Sequence, residues 1–202
     1  MENFDLSQSI ILENERVLLR PLEITDHNNL LGFSLNEPEI WKYSLVQAGG
    51  EENLKNYLKI AMEGRNSKKE YPFIVFDKKQ NSYAGSTRFY DILLSHKTLQ
   101  LGYTWYGKNF QGTGLNKHCK FLLLQYAFEV MKMERVEFRA DNSNARSIAA
   151  MKSIGCKPEG VLRSSMYNID GVTRRDSIVL SILRKEWFDE VKESLKKQCT
   201  AK

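Results

Sequence analysis

Residues Trp105 to Asn116 read W-Y-G-K-N-F-Q-G-T-G-L-N: an aromatic run, a loop in which Gly112 and Gly114 flank Thr113, then the start of a helical pattern. Apolar Leu115, Cys119, Leu122, Leu123, Tyr126, Ala127 and Val130 step by three and four, which puts one face of a helix against a core. A glycine turn at such a helix start leaves backbone N–H groups unpaired and aimed at one point, and the helix dipole adds partial positive charge there. The segment predicts a strand–turn–helix unit whose turn accepts an anion such as phosphate. Tight packing is the other use of glycines at this place. The unit is not an NTPase loop, because Leu115 and Asn116 stand where Lys and Ser or Thr would follow the second glycine. It is not a dinucleotide fingerprint either, because Lys117 stands where the third glycine would be.

The rest of the chain limits what can surround this unit. With 202 residues, 42% of them hydrophobic, one domain spanning residues 1–202 with a sizeable core is expected. No apolar run reaches the roughly 20 residues of a membrane span. Met1–Gln8 carries Glu2 and Asp5 and no basic residue, unlike a signal peptide. Cys119, Cys156 and Cys199 are odd in number, widely spaced and without a C-x-x-C pair. They suggest neither a disulfide framework nor a zinc site, and they fit a cytoplasmic protein. The net charge of +5 suits an anionic ligand. Lys192, Lys196 and Lys197, however, sit among Glu190 and Glu193 as a solvated helix face, so neither nucleic acid nor membrane is an expected partner.

Periodicity and turn signals order the elements. Val17–Arg20 reads as a strand, and Thr25 or Asp26 caps a helix reaching about Leu35. Glu51–Gly64 is a helix with Leu54, Tyr57, Leu58 and Ala61 on one face. Phe73–Asp77 and Tyr83–Tyr90 are strands around a turn, and Thr98–Tyr106 is another. After the motif helix come a strand at Arg135–Ala140 and a helix at Asn144–Ile154 stopped by Gly155. A hairpin follows, Val161–Asn168 with Thr173–Leu183 around Asp170-Gly171, and a closing helix runs over about 186–197. The helical crossover from Thr98–Tyr106 to Arg135–Ala140 makes those two strands parallel in an otherwise hairpin-connected sheet, so the fold class is α/β (α+β) with a mixed sheet. Ligands in such sheets bind at strand carboxyl ends where the order changes, which is where Trp105–Asn116 lies.

Four segments in order give the chain a resemblance to the GCN5-related N-acetyltransferase (GNAT) superfamily, and within it to the RimJ/RimL-like group, over about residues 16–187. They are R-V-L-L-R-P-L at Arg16–Leu22, L-G-Y-T-W with Q-G-T-G-L-N, R-A-D-N-S-N-A-R-S-I-A-A-M-K-S-I-G-C, and E-G-V-L-R followed by the Asp170-Gly171 hairpin and S-I-L-R-K-E-W. The resemblance implies a strongly twisted central sheet flanked by helices, and a cytoplasmic monomer or homodimer. It implies acetyl-CoA as cosubstrate and no metal. The cofactor's pyrophosphate would lie on the N–H groups of Gln111, Gly112, Thr113, Gly114, Leu115 and Asn116. Its pantetheine arm would pair like a strand with the backbone near Trp105 and Tyr106, and Asn144 would contact it. An acceptor amine, a protein N-terminus or a small molecule, would attack the thioester directly, so that positioning and oxyanion stabilisation carry the rate.

The expected catalytic groups depart from the group's pattern. Many relatives carry Glu in an L-E-I-G-Y strand; here the residue is Gln100, which can orient a substrate or water but cannot take a proton. Met166 falls at a second position where relatives carry an acid, and Met151 at the place of a tyrosine that elsewhere protonates the leaving thiolate. Ser147, three residues after Asn144, matches the serine that does this in RimJ/RimL-like enzymes. Ser147 also suits a helix first turn, and Asn144 a plain helix cap. Trp41, Tyr43, Arg88 and Tyr90 are candidates to line the acceptor site, or are packing residues. His118 is expected on the solvent side of the motif helix.

Without a carboxylate base the chemistry favours an acceptor that is already partly neutral. A lysine-type amine has pKa near 10.4, and deprotonating it at neutral pH costs roughly 4 kcal/mol, whereas an α-amine titrates at about 7.7–8.0. A peptide N-terminus or an amino-acid derivative is therefore the leading acceptor. Acetylation of a small amine such as an antibiotic or polyamine, and a CoA-binding sensor without turnover, are the alternatives.

Overall fold

The computed structural model describes residues 5–200; of the opening stretch read above as unlike a signal peptide, residues 1–4 lie outside that range. The strands are β1 (Leu12–Glu13), β2 (Val17–Pro21), β3 (Tyr71–Asp77), β4 (Ser82–Leu93), β5 (Thr98–Tyr106), β6 (Arg135–Asp141), β7 (Lys157–Tyr167) and β8 (Arg174–Leu183). The helices are α1 (His27–Asn36), α2 (Glu51–Asn66), α3 (Leu115–Gln125), α4 (Ala145–Ser153), α5 (Arg184–Glu186) and α6 (Lys192–Thr200). A π turn, Tyr126–Val130, extends α3, and another, Trp187–Val191, joins α5 to α6. The eight strands form one sheet in the order β1-β2-β3-β4-β5-β6-β8-β7. Only β5 and β6 are parallel, the pair joined by the α3 crossover; every other neighbour is antiparallel.

Strand sequence decides which face is wet. β6, R-V-E-F-R-A-D, alternates: Val136, Phe138 and Ala140 enter the core, while Arg135, Glu137, Arg139 and Asp141 take the other face. Central β3, Y-P-F-I-V-F-D, is apolar almost throughout and covered on both sides. One core layer joins Leu99, Leu101, Tyr106 and Phe138 to Leu115, Cys119 and Leu123 of α3 and to Trp187. The other joins Trp105 and Ile74 to Leu30 of α1, Trp41, and Leu54, Tyr57 and Leu58 of α2. Trp187 is fully buried and stacked on Phe128 with centroids 5.7 Å apart, and its indole N–H donates to Glu129 at 3.0 Å. Among the described residues no helix is long and apolar enough to cross a membrane.

The expected elements are present, with departures beyond the π turn that breaks the closing helix. β7 begins at Lys157 and runs through Pro158 and Gly160, because as an edge strand it tolerates a missing donor. β1 adds a short strand that two residues are too few to announce. β4 reaches Leu93 through a register shift between Tyr90 and Leu93, with Asp91 at φ 47°.

Gly85 is where β4 and β5 come closest. At φ +152° a Cβ there would stand 2.1 Å from the Trp105 carbonyl oxygen. Gly85→Ala should therefore lower stability by about 3 kcal/mol, the upper part of the overpacking range, read as a shifted denaturation midpoint with an unchanged slope. A midpoint like the wild type's would show that the two strands can part without cost.

Candidate active site

The site is built on a parting of two strands. β5 and β6 pair only over Thr98↔Arg135, Leu99↔Val136 and Gln100↔Glu137. Beyond that point β6 continues along β8, from Phe138↔Leu180 to Asp141↔Ser177, and β5 continues along β4 to Gly85↔Tyr106. The β5 edge from Leu101 to Tyr106 thus has no strand on its β6 side. A bulge accompanies the parting: Arg88 faces Gly102 but Ser86 faces Trp105, and Tyr103 takes φ 50°. The extra residue returns Thr104 to the α3 side of the sheet while Trp105 packs on the α1–α2 side. A wedge open to backbone hydrogen bonding is what an extended, amide-bearing ligand arm can enter.

The glycine turn closes the far end of β5. Gly112 and Gly114 take φ +74° and +85°, conformations that glycine adopts without strain. Nothing lies within 4 Å of a Cβ built on either. Among the described residues the N–H groups of Gly112, Thr113 and Gly114 have no hydrogen-bond partner, and they stand directly before α3. The turn is braced from behind. The Gln111 side chain donates to the Tyr106 carbonyl at 2.7 Å, Thr113 Oγ1 donates to the Phe110 carbonyl at 2.8 Å, and the Tyr106 hydroxyl donates to Asn116 Oδ1 at 3.3 Å. Leu115 is fully buried and anchors the helix start. These residues fit a bound pyrophosphate. Arg16 also belongs here. Its guanidinium donates to the Thr113 carbonyl and hydroxyl, both at 3.4 Å, and is held by Asp77 at 2.8 and 3.0 Å. In the sequence Arg16 marked only the beginning of a strand.

At the apex of the wedge Gln100 and Asp91 are connected. Gln100 donates its amide to Asp91 Oδ2 at 2.9 Å, and its Oε1 is buried without a partner among the described residues. The positive φ of Asp91 turns that carboxylate to the side on which Gln100 lies. Across the last ladder pair stands Glu137, bonded to Arg135 at 2.8 Å and Arg139 at 2.7 Å. On the β6 side Asn144 caps α4, accepting from the Ser147 N–H at 3.0 Å. The Ser147 hydroxyl makes no hydrogen bond among the described residues and is free for a ligand.

The four residues considered for the acceptor separate into wall and rim. Trp41 is fully buried, its ring 5.0 Å from that of Trp105, so it supports the wall and does not line an opening. Arg88 is also fully buried, ion-paired with Glu70 at 2.5 Å and 4.2 Å from the centroid of Tyr103. Tyr90 meets Tyr103 edge-on at 5.1 Å, and burial pushes both phenols up, so they stay protonated. Tyr43 is exposed and borders a pocket of about 310 Å³ with Lys42, Ser44, Asp141, Asn168 and Asp170. A larger recess of about 560 Å³, bounded by Asp5, Lys68 and Ile92 among others, holds none of the candidate residues. His118, expected at the surface, is buried: Nδ1 lies 3.2 Å from Asn14 Nδ2, and burial lowers its pKa. The tilt of α3 over β1–β2 covers it. Among the described residues no three His, Cys, Asp or Glu side chains are arranged to hold a metal ion.

A mixed sheet parted beside a helix start that offers free backbone N–H groups is the architecture of the acetyltransferase class. The family model of the acetyltransferase (GNAT) domain matches residues 16–157, and the chain belongs to that family. It is similar to YjcK of Bacillus subtilis (strain 168), assigned as an N-acetyltransferase, with 27% identity over 178 residues, 86% of this chain and 97% of that protein. It is 30% identical over 109 residues to YdaF of the same organism, assigned as a ribosomal N-acetyltransferase, covering 54% of this chain and 58% of the relative. Among solved structures, one from T. thermophilus assigned as an acetyltransferase superposes with a TM-score of 0.84 at 32% identity, covering 98% of this chain and 99% of the other.

Proposed function

We propose that the protein transfers the acetyl group of acetyl-CoA to a primary α-amine, of a peptide N-terminus or an amino-acid derivative, as a RimJ/RimL-like N-acetyltransferase. The observation that carries this reading is the parting of β5 from β6 after Gln100, with the unpaired N–H groups of Gly112–Gly114 at its far end. Pyrophosphate on that turn and pantetheine along Leu101–Tyr106 would direct the thioester toward Gln100, with Ser147 of α4 assigned to the leaving thiolate. The ribosomal assignment of YdaF is consistent with an N-terminal acceptor.

The mechanism follows from the groups present. A neutral amine attacks the thioester carbonyl, with one N–H directed to the unpartnered Gln100 Oε1. Free backbone N–H groups of β5 receive the oxyanion. Ser147 gives a proton to the departing thiolate and recovers one from solvent. Gln100 cannot act as base, and its amide N–H₂ is already committed to Asp91. The carboxylate stands one hydrogen bond behind the Gln100 amide and two from the amine, which favours an acceptor with appreciable neutral fraction at pH 7. A second acceptor class has one observation in its favour. Asp141 and Asp170 beside the Tyr43 pocket present negative charge to a small cationic amine.

The test measures thiol release from acetyl-CoA with peptides, amino-acid derivatives and polyamines, on the wild type and on Gln100→Glu. α-Amine acceptors should be turned over faster by the wild type, and the glutamate should help high-pKa amines more, since only they need a proton removed at neutral pH. Equal gains, or a wild-type preference for polyamines, would defeat the α-amine assignment. Binding of CoA with no turnover by any acceptor would make the protein a sensor.

A further inference from the structure

Lys120 is a buried cation that the mechanism above leaves unused. It lies on α3, only 5% exposed, and reaches up to the parted strands. Its Nζ donates to Thr104 Oγ1 at 2.8 Å and lies 3.5 Å from Thr87 Oγ1, and these two hydroxyls are themselves 2.8 Å apart. On the β6 side it stands 6.0 Å from the centroid of the Phe138 ring. Phe138 is the first β6 residue past the last β5–β6 pair, and Thr104 belongs to the unpaired β5 edge. The ammonium therefore lies on the floor of the wedge between Phe138, next to the apex, and Thr104, further along β5, beneath the path of an arm lying along β5.

Nothing in the fold accounts for a charge at this place. Among the described residues no carboxylate pairs with Lys120. The ionisable groups around it are the thiols of Cys119 and Cys156, both pushed up to about 12 by burial and hence neutral. Burial lowers Lys120 itself to about 8, so it remains mostly charged at neutral pH, held by two hydroxyls and the face of the Phe138 ring and by no anion. An uncompensated buried cation costs several kcal/mol and a methionine of similar length would pack there without that cost. A negative charge that arises only during the reaction would make it favourable.

From this placement we propose that Lys120 is a catalytic residue whose ammonium stabilises the negative charge on the CoA sulfur as the thioester breaks. The inference rests on the acetyl-CoA reading given above. As the acceptor nitrogen forms its bond to the acetyl carbon, the C–S bond breaks and the electron pair goes to sulfur. The surplus proton of the nitrogen leaves to solvent, Ser147 protonates the thiolate, and Lys120 keeps its own proton throughout. The role is electrostatic, and it acts on product CoA as well as on the transition state.

That last property gives a test independent of turnover. Free CoA is bound to excess protein, and its thiolate is followed by ultraviolet absorbance as pH is raised, for wild type, Lys120→Met and Lys120→Gln. A cation within about 4–6 Å lowers an acid's pKa by about 1–3, so wild-type protein below about pH 8 should hold at least about tenfold more thiolate than free CoA at the same pH. Both variants should lose that excess while keeping the acetyl-CoA-induced thermal shift, and kcat should fall about 10²–10³-fold, the effect of removing one charge-stabilising donor. Glutamine retains hydrogen bonding to Thr104, so a loss common to both variants reports the charge and not the packing. A thiol that titrates alike on wild type and variants overturns the inference and leaves the acetyl-CoA reading standing. Failure of the wild type to bind CoA overturns both.

Discussion

Ser147→Ala should lower kcat by about 10²–10⁴, the range for a lost acid–base group, with little change in affinity for acetyl-CoA. The serine lies in the first turn of α4, where the Asn144 side chain already accepts its backbone N–H. Removing the hydroxyl therefore leaves the cap intact, and the hydroxyl itself supports no hydrogen bond among the described residues. A rate loss without a stability loss is the expected signature. It is read by comparing steady-state turnover, thermal melting and the acetyl-CoA-induced shift on the same variant. The effect should shrink when the thioester carries a better leaving thiolate, because a weaker base needs its proton less. An unchanged kcat would reduce Ser147 to a helix-turn residue and leave the thiolate to solvent.

Gly112→Glu should abolish the stabilisation by acetyl-CoA. For the wild type at about 100 times Kd, mass action adds about 2.7 kcal/mol. For a chain of this size that is a rise in Tm of roughly 5–10 °C, taking about 2–4 °C per kcal/mol. The glutamate places negative charge where Gly112, Thr113 and Gly114 offer free N–H groups to a phosphate. A φ of +74° also strains any side chain at this position, so the unliganded protein should melt somewhat earlier. Gly112→Ala carries the same strain without the charge and serves as the control: it should retain a substantial part of the ligand-induced shift. If the glutamate variant were stabilised by acetyl-CoA like the wild type, the phosphate site would have to lie elsewhere.

Both predictions concern residues that were legible in the sequence, and the reason is that their signals are local. The step of three and four from Leu115 to Val130, the Gly112–Gly114 turn before it, the Asn144 cap and the Asp170-Gly171 hairpin all depend on neighbours within a few positions. The parallel pairing of β5 with β6 was legible too, because a helical crossover between adjacent strands permits little else. Trp41 and Arg88 show the opposite case. Their residue types suit an acceptor pocket or an interior equally, and only packing on Trp105 and pairing with Glu70 distinguishes the two.

By itself, then, the sequence determined most of the elements, their order, the glycine turn before α3 and the family pattern that points to acetyl transfer. The tertiary structure alone decided where the strands part, which carboxylate stands behind Gln100, and what lies beneath the wedge. Asp91 reaches Gln100 only because a bulge in β4 turns it, and Lys120 meets Thr104 and Phe138 only because α3 crosses beneath two strands that have separated. Arg16 braces a turn 97 positions away. Such contacts depend on strand register and helix placement, which are set by the balance of the whole core and leave no periodicity in the neighbouring residues.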